Sequence, residues 1–232
     1  MSRFFPAIAV LCVLAQTAAF GQSPNEEAAT ATLPKVVLVG DSIRLSYAPI
    51  VTQQLEGRAV VVSPKPNGGD SSNVLKNLEQ WVLREKPAIV HFNCGIHDTK
   101  KFSGTGRFQV SPEQYEANLR QIVERIRENT EAVVIFATTT PILDDRAAAA
   151  RQGRDYELLG ASVQQYNTIA RKVMAELKVP VNDLYGALST PASPETTEML
   201  IGKDGVHLTA PARELLGRQV ARAVSSQLTK AP

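Results

Sequence analysis

The stretch KVVLVGDSI, residues 35 to 43, carries an unbroken apolar run, Val36 to Val39, straight into Gly40, Asp41 and Ser42. A run without polar alternation suits a strand covered on both faces, the condition of parallel sheets packed between helices. The serine hydroxyl then falls at the strand's C-terminal end, just before a helix, where backbone N–H groups can hold an oxyanion. Gly-Asp-Ser is also ordinary turn and helix-cap vocabulary, so the triplet gains meaning only from the rest of the chain.

Outward from this stretch, short β-branched runs alternate with longer segments whose apolar residues recur at helical spacing, the signature of a parallel sheet covered by helices. Further strands are predicted at AVVVS (59 to 63), AIVHFN (88 to 93), AVVIFAT (132 to 138) and VPVND (179 to 183). Val74, Leu75, Leu78, Trp81 and Val82 form one helical face. Tyr115, Leu119, Ile122, Val123 and Ile126 form a second, and Tyr166, Ile169, Ala170, Val173 and Leu177 a third. A C-terminal helix beginning near Thr209 carries Leu216, Val220, Val224 and Leu228. The second helix also has a start signal, with Ser111 as cap, Pro112 in the first helical position and Gln114 three residues after the cap, a capping box. The predicted fold is therefore α/β, a three-layer α/β/α sandwich around a mainly parallel sheet of about five strands. Segments 99 to 110 and 141 to 156 are irregular and each follows a strand's C-terminal end, so both are expected to wall a ligand site at that edge.

Of the 232 residues, 44% are hydrophobic and 21% charged, which fits a globular protein and argues against disorder or a fibrous repeat. Residues 1 to 21, MSRFFPAIAVLCVLAQTAAFG, combine a basic Arg3, an apolar run and small residues at Ala19 and Gly21, the pattern of a cleavable secretory signal peptide. The run is shorter than the roughly 20 apolar residues of a spanning helix, so a secreted or periplasmic location without stable membrane insertion is the expectation. Residues 22 to 33 lack apolar periodicity and read as a flexible lead-in to one domain over residues 34 to 232. Lys and Arg number 25 against 23 Asp and Glu, and loss of Arg3 with the leader narrows even that difference, leaving no electrostatic case for nucleic acid. Loss of Cys12 leaves Cys94 alone, so an internal disulfide is excluded, and its place at a strand's end suits a small buried residue better than a nucleophile.

At the other end of the chain, Asp204-Gly-Val-His207 stands immediately before the last helix. An aspartate three residues before a histidine, in a turn, can bind the imidazole Nδ1–H, fix its tautomer and leave Nε2 to take a proton from a serine. The alternative is a surface turn with Asp204 and Gly205 at its tip. Between the two ends lies NGGDSS, residues 67 to 72, whose paired glycines allow close backbone approach and an N–H aimed at an oxyanion. The same residues can serve as a strand-to-helix turn with Asp70 or Ser71 as cap.

The order and spacing of these pieces resemble the SGNH hydrolases, also called GDSL esterases and lipases, from Val36 to about Leu228. The resemblance implies Ser42, within Gly40-Asp41-Ser42, as nucleophile, and Asp204 and His207 as its acid-base partners. It aligns Gly69, in Gly69-Asp70-Ser71-Ser72, with the glycine whose N–H enters the oxyanion hole beside the Ser42 N–H. The family's third block, Gly-x-Asn-Asp, is matched by Gly95-Ile96-His97-Asp98, so a histidine stands where the resemblance predicts the third oxyanion donor, an asparagine amide.

Three readings of His97 follow. A neutral imidazole N–H can replace the amide in kind; a protonated ring can stabilise negative charge more strongly, though only below a pKa near 6.5 when unperturbed; or the chemistry is lost and the domain only binds its ligand. A metal set of His91, His97, Asp98 and His207 lacks ligand spacing, and His91, inside an apolar strand, reads as a core histidine. Asp41 beside the nucleophile, Arg44 two residues on and Asp98 beside His97 are the candidate substrate contacts, with a solvated helix-start arginine as the competing reading of Arg44. The resemblance implies a serine esterase working through an acyl-enzyme, with no cofactor or metal expected, and leaves the ester open. The leader and the absence of a long apolar lid-like segment favour an exported enzyme acting on a small ester, acetyl groups on carbohydrate above all. A lipase or acyltransferase of the same family and a non-catalytic glycan-binding domain are the alternatives.

Overall fold

A computed structural model describes residues 1–2, 32–190 and 196–228 of the chain. The leader predicted over residues 1 to 21 and the lead-in over 22 to 33 lie almost wholly outside the described residues.

In chain order the strands are β1 (Lys35–Val39), β2 (Val60–Val62), β3 (Ile89–Phe92), β4 (Lys101–Phe102), β5 (Val133–Ala137), β6 (Tyr156–Glu157) and β7 (Val181–Asn182). The helices are α1 (Ser42–Gln54), α2 (Ser71–Lys76), α3 (Leu78–Trp81), α4 (Pro112–Asn129), α5 (Asp144–Ala150), α6 (Gly160–Glu176), α7 (Leu184–Ser189), α8 (Thr197–Leu200) and α9 (Ala210–Leu228), with a 3₁₀ turn at Leu83–Glu85. Five strands form one parallel sheet in the order β2-β1-β3-β5-β7. These are the five predicted strands, most of them shortened at their ends.

Alternate residues of each strand feed opposite faces, as the pleat requires. Val36, Leu38, Ile89, Ile135 and Ala137 pack beneath α1 and α9, against Ile43, Tyr47, Val51, Leu216 and Val220. Val37, Val39, Val90, Phe92, Val134 and Phe136 pack on the other face, against Val74, Leu78, Tyr115, Leu119, Tyr166 and Val173 of α2, α3, α4 and α6. Two apolar layers on one sheet make a three-layer α/β/α sandwich. Among the described residues, no helix is long and apolar enough to cross a membrane.

Two local expectations are corrected. The single helical face drawn from Val74 to Val82 is interrupted at Asn77, whose side-chain amide donates to the Asn73 carbonyl at 2.8 Å and breaks the run into α2 and α3. The capping box at α4 is only half made. Ser111 Oγ accepts from the Gln114 N–H, but the Gln114 side chain turns forward to Asn118 Oδ1 at 2.8 Å.

The chain leaves β1 for β2 on one side and returns to β3 on the other, so the strand order reverses at β1. In open parallel sheets such a switch point opens a crevice at the strands' C-terminal edge. Gly40 to Ser42 follow β1 at that edge, and Asn93 to Asp98 follow β3. The two segments expected to be irregular and to wall it are partly ordered, since α5 occupies Asp144–Ala150 and β4 and β6 pair antiparallel as a small ribbon, Lys101 with Glu157 and Phe102 with Tyr156.

Candidate active site

Ser42 opens α1, and Asp41 caps it, with Asp41 Oδ1 accepting from the Ile43 N–H at 2.9 Å. Asp41 is buried, and burial raises its pKa against the opposing pull of that backbone bond and of nearby cations. Arg44, read as a substrate contact or a solvated residue, is neither, because its guanidinium is buried beneath the site. It donates to Gly40 O (2.8 Å), Ser63 Oγ (2.7 Å), Pro64 O (2.7 Å) and Pro66 O (3.0 Å). One fixed fork thus ties the segment after β2 to the turn that carries the serine.

Gly68 completes that tie. Its N–H donates to Gly40 O at 2.9 Å, and a Cβ at Gly68 would stand 2.7 Å from the same oxygen, so only glycine lets the strands' ends approach this closely. Gly69 follows at φ +61, and its N–H is occupied by Asn67 Oδ1 at 2.9 Å. The expected oxyanion donor therefore rests on a neighbouring side chain, which has to yield before the N–H can serve a substrate.

From the chain's other end, the turn before α9 delivers His207. Ser42 Oγ lies 3.0 Å from His207 Nε2, and Asp204 Oδ2 bonds His207 Nδ1. The other oxygen, Asp204 Oδ1, accepts from the N–H groups of Val206 (3.1 Å) and His207 (2.9 Å). Partial burial opposes ionisation of Asp204, but the bonds from His207 and the two backbone amides outweigh it and hold the carboxyl at about 2. The turn is fixed from behind, where Gly205 O accepts from the Leu143 N–H at 3.0 Å and Asp204 O from Arg151 Nη1 at 3.0 Å.

His97 and Asp98 are neighbours that face apart. His97 is half-buried and lines a cleft of about 240 Å³ together with Ser42, His207, Asn67, Lys100 and Tyr156. Burial lowers the His97 pKa and nearby Lys100 pushes the same way, while buried Asp41 pulls against them. A protonated His97 is therefore displaced further into acid than an unperturbed ring, which narrows the range in which a charged donor could act.

Asp98, expected beside the substrate, is buried on the far side of its loop. It accepts from the Ser71 N–H at 2.9 Å and from Ser71 Oγ, anchoring the start of α2 to the loop after β3. Burial pushes its pKa up to about 7, against the lowering effect of those bonds. Asp41, Arg44 and Asp98 thus brace the loops that carry Ser42, Gly69 and His97, and none of them lines the cleft. The metal set weighed from the sequence does not converge either, since His91 lies in the core with Nε2 3.1 Å from Asn182 Nδ2 and Asp98 turns toward Ser71. Cys94 is buried beneath the same loop, and burial holds its thiol well above the usual range.

A serine at a strand end, paired through a histidine to an aspartate three residues upstream, agrees with what the chain matches as a whole. The model of the GDSL-like Lipase/Acylhydrolase family matches residues 38–215. The chain belongs to this family. This GDSL-like acylhydrolase is an ester-hydrolysing serine hydrolase. No curated protein sequence matches it.

Among solved structures, the acylhydrolase is similar to a lipase/acylhydrolase from Enterococcus faecalis, at 23% identity and a TM-score of 0.68, over 84% of this chain and 97% of that one. It is also similar to the acetylxylan esterase Axe2 from Geobacillus stearothermophilus, at 19% identity and a TM-score of 0.67, over 82% and 94% of the two chains. A third, the acetyl xylan esterase AlAXEase, shows 18% identity and a TM-score of 0.67, over 82% and 99%. At these identities the likeness is one of fold.

Four polar residues of the acylhydrolase's cleft were not singled out from the sequence: Asn67, Lys100, Arg151 and Tyr156. Lys100 and Tyr156 reach it through the β4–β6 ribbon, whose strands are two residues long and too short to leave a periodic signal. Arg151 arrives at the C-terminal end of α5. Ile96, Leu158 and Val206 supply its apolar lining.

Proposed function

We propose that this acylhydrolase cleaves short-chain esters, acetyl groups on carbohydrate above all, with Ser42, His207 and Asp204 as its catalytic triad. The observation that carries the reading is the 3.0 Å separation of Ser42 Oγ and His207 Nε2, with Asp204 on the opposite ring nitrogen. Ionised Asp204 keeps the imidazole proton on Nδ1, so Nε2 is free to accept the serine proton as Oγ attacks the ester carbonyl. The imidazolium then donates that proton to the departing alcohol, and water, activated by the same Nε2, releases the acyl group from Ser42.

Charge on the tetrahedral oxygen meets the Ser42 N–H at the start of α1, the Gly69 N–H once Asn67 yields it, and an N–H of neutral His97 in place of the family's amide. A cleft of about 240 Å³ favours a small acyl group, being smaller than the roughly 300–1,000 Å³ of sites for drug-sized ligands. The esterases of like fold include two named for acetylated xylan, which supports a carbohydrate ester. The leader-like residues 1 to 21 support action after export.

A fluorophosphonate probe tests the nucleophile. Labelling of the parent that is absent in a folded Ser42→Ala variant is the expected result, and equal labelling of both removes Ser42 from the role. A series of p-nitrophenyl esters beside acetylated xylan then reads chain length, with acetate turned over faster than octanoate.

A further inference from the structure

We propose that the natural ester of this acylhydrolase carries an anionic group close to the scissile bond, and that Lys100 and Arg151 recognise it from the ribbon side of the cleft. The proposal rests on the esterase reading above and narrows its substrate class. Lys100 and Arg151 line the same cleft as Ser42 and His207, and no Asp or Glu lines it with them.

The two cations have no carboxylate partner among the described residues. Lys100 Nζ sits 5.1 Å from the centroid of the Tyr156 ring, a cation–π contact that holds the ammonium over the cleft without neutralising it. The ribbon's own acid, Glu157, lies 3.7 Å from Lys101 on the neighbouring position. Arg151 Nη1 donates to Ala147 O (3.1 Å) and Asp204 O (3.0 Å), which fixes the guanidinium beside the cleft, and its Nε is buried without a partner among the described residues.

The carboxylates around the site are committed elsewhere. Asp204 holds His207, Asp41 caps α1, and Asp70 accepts from the Asn73 N–H and Gln109 Nε2. The cleft wall therefore carries two cations and no carboxylate beside the nucleophile, with Lys100 near enough to oppose protonation of His97 while Asp41 and Asp70, behind the wall, act on that ring the other way. A carboxylate on the substrate would meet one ammonium and one preoriented guanidinium, and hydrogen bonds to charged groups of this kind are worth about tenfold in affinity or more.

The anion can belong to the alcohol, as in an acetylated uronic acid, or to the acyl group, as in a hemisuccinate. Two substrate pairs separate these sources: acetylated methyl glucuronoside against acetylated methyl glucoside, and p-nitrophenyl hemisuccinate against p-nitrophenyl butyrate. In one pair the anionic member is expected to show a kcat/KM about tenfold higher at low salt, with the gain lying in KM. High salt should shrink that ratio, Lys100→Met should bring it toward one, and Lys100→Glu should invert it. Parity or a preference for the neutral member in both pairs overturns the proposal while leaving the esterase reading in place. Failure to turn over any of the four esters, with no probe labelling at Ser42, overturns both.

Discussion

At the scale of the single residue, the role proposed for His97 is that of an altered motif residue that keeps the chemistry of the amide it replaces. An amide and a neutral imidazole each offer an N–H from a planar group, so either can hold a developing oxyanion. Burial biases His97 toward the neutral form, which favours the proposed donation in kind over a charged contact. His97→Asn is therefore expected to keep turnover within a few-fold of the parent, and His97→Ala to lose about 100-fold or more in kcat, the scale of one oxyanion donor. Steady-state rates on p-nitrophenyl acetate decide this, and an alanine variant as fast as the parent removes His97 from the oxyanion hole. The pH profile separates the neutral reading from the charged one. If the neutral ring is the donor, the acidic limb of kcat/KM is the same in the parent and in His97→Asn, whereas a charged donor would leave extra activity in acid that the asparagine variant lacks.

At the scale of the element, the site depends on how tightly α1 and α9 cross, because one begins at Ser42 and the other follows His207. A Cβ at Gly217 of α9 would stand 2.6 Å from both Cβ and Cγ2 of Ile50 on α1, so the helices approach through a missing side chain. Gly217→Val should force them apart and lower the unfolding free energy by about 1–3 kcal/mol, the usual cost of overpacking. Urea unfolding measures this, and an unchanged midpoint would mean that Ile50 moves aside freely. The same scale explains what could be read beforehand. Strands such as Val36–Val39 and helices such as Tyr115–Ile126 were legible because burial on a sheet face or a helix stripe imposes a period on the sequence. The meeting of Ser42, Asp204 and His207 was legible because a Gly-Asp-Ser turn and an Asp-x-x-His turn each show in local spacing. Arg44 was not, since its acceptors are mostly backbone carbonyls, three of its four partners coming from residues 63 to 66, and carbonyls leave no trace in side-chain identity. Asp98 misled for a related reason, because a loop can turn adjacent residues to opposite sides and only the partner, Ser71, reveals which way it went.

At the scale of the whole molecule, two buried groups outside the chemistry set the response of stability to acid, and they act in opposite directions. His91 is fully buried beside Asn182, and burial lowers its pKa from the ordinary 6.5 to about 4. Between those values the unfolded chain binds the proton and the folded one does not, so the neutral ring's contribution is complete above 6.5 and is lost as pH falls toward 4. Asp98 is displaced the other way, from 3.8 to about 7 by burial, with Asp70 nearby adding to the effect and Ser71 opposing it. Here the folded state binds the extra proton, so stability rises as pH falls from 7 toward 4. The two displacements are of similar size, and raised Asp41 and lowered His97 form a second opposed pair, which together predict a nearly flat stability between pH 7 and 4, with loss setting in below about 4 as Asp204, held at about 2, begins to be protonated. Asp98→Asn keeps an acceptor for the Ser71 N–H but cannot titrate, and so removes only one side of the balance. That variant should lose roughly 3 kcal/mol on acidification from pH 7 to 4 while the parent changes little. Urea midpoints across this range provide the check. A variant as flat as the parent would mean that His91 does not remain neutral in the fold, and a parent that weakens steeply over the same interval would mean that Asp98 ionises where it is buried.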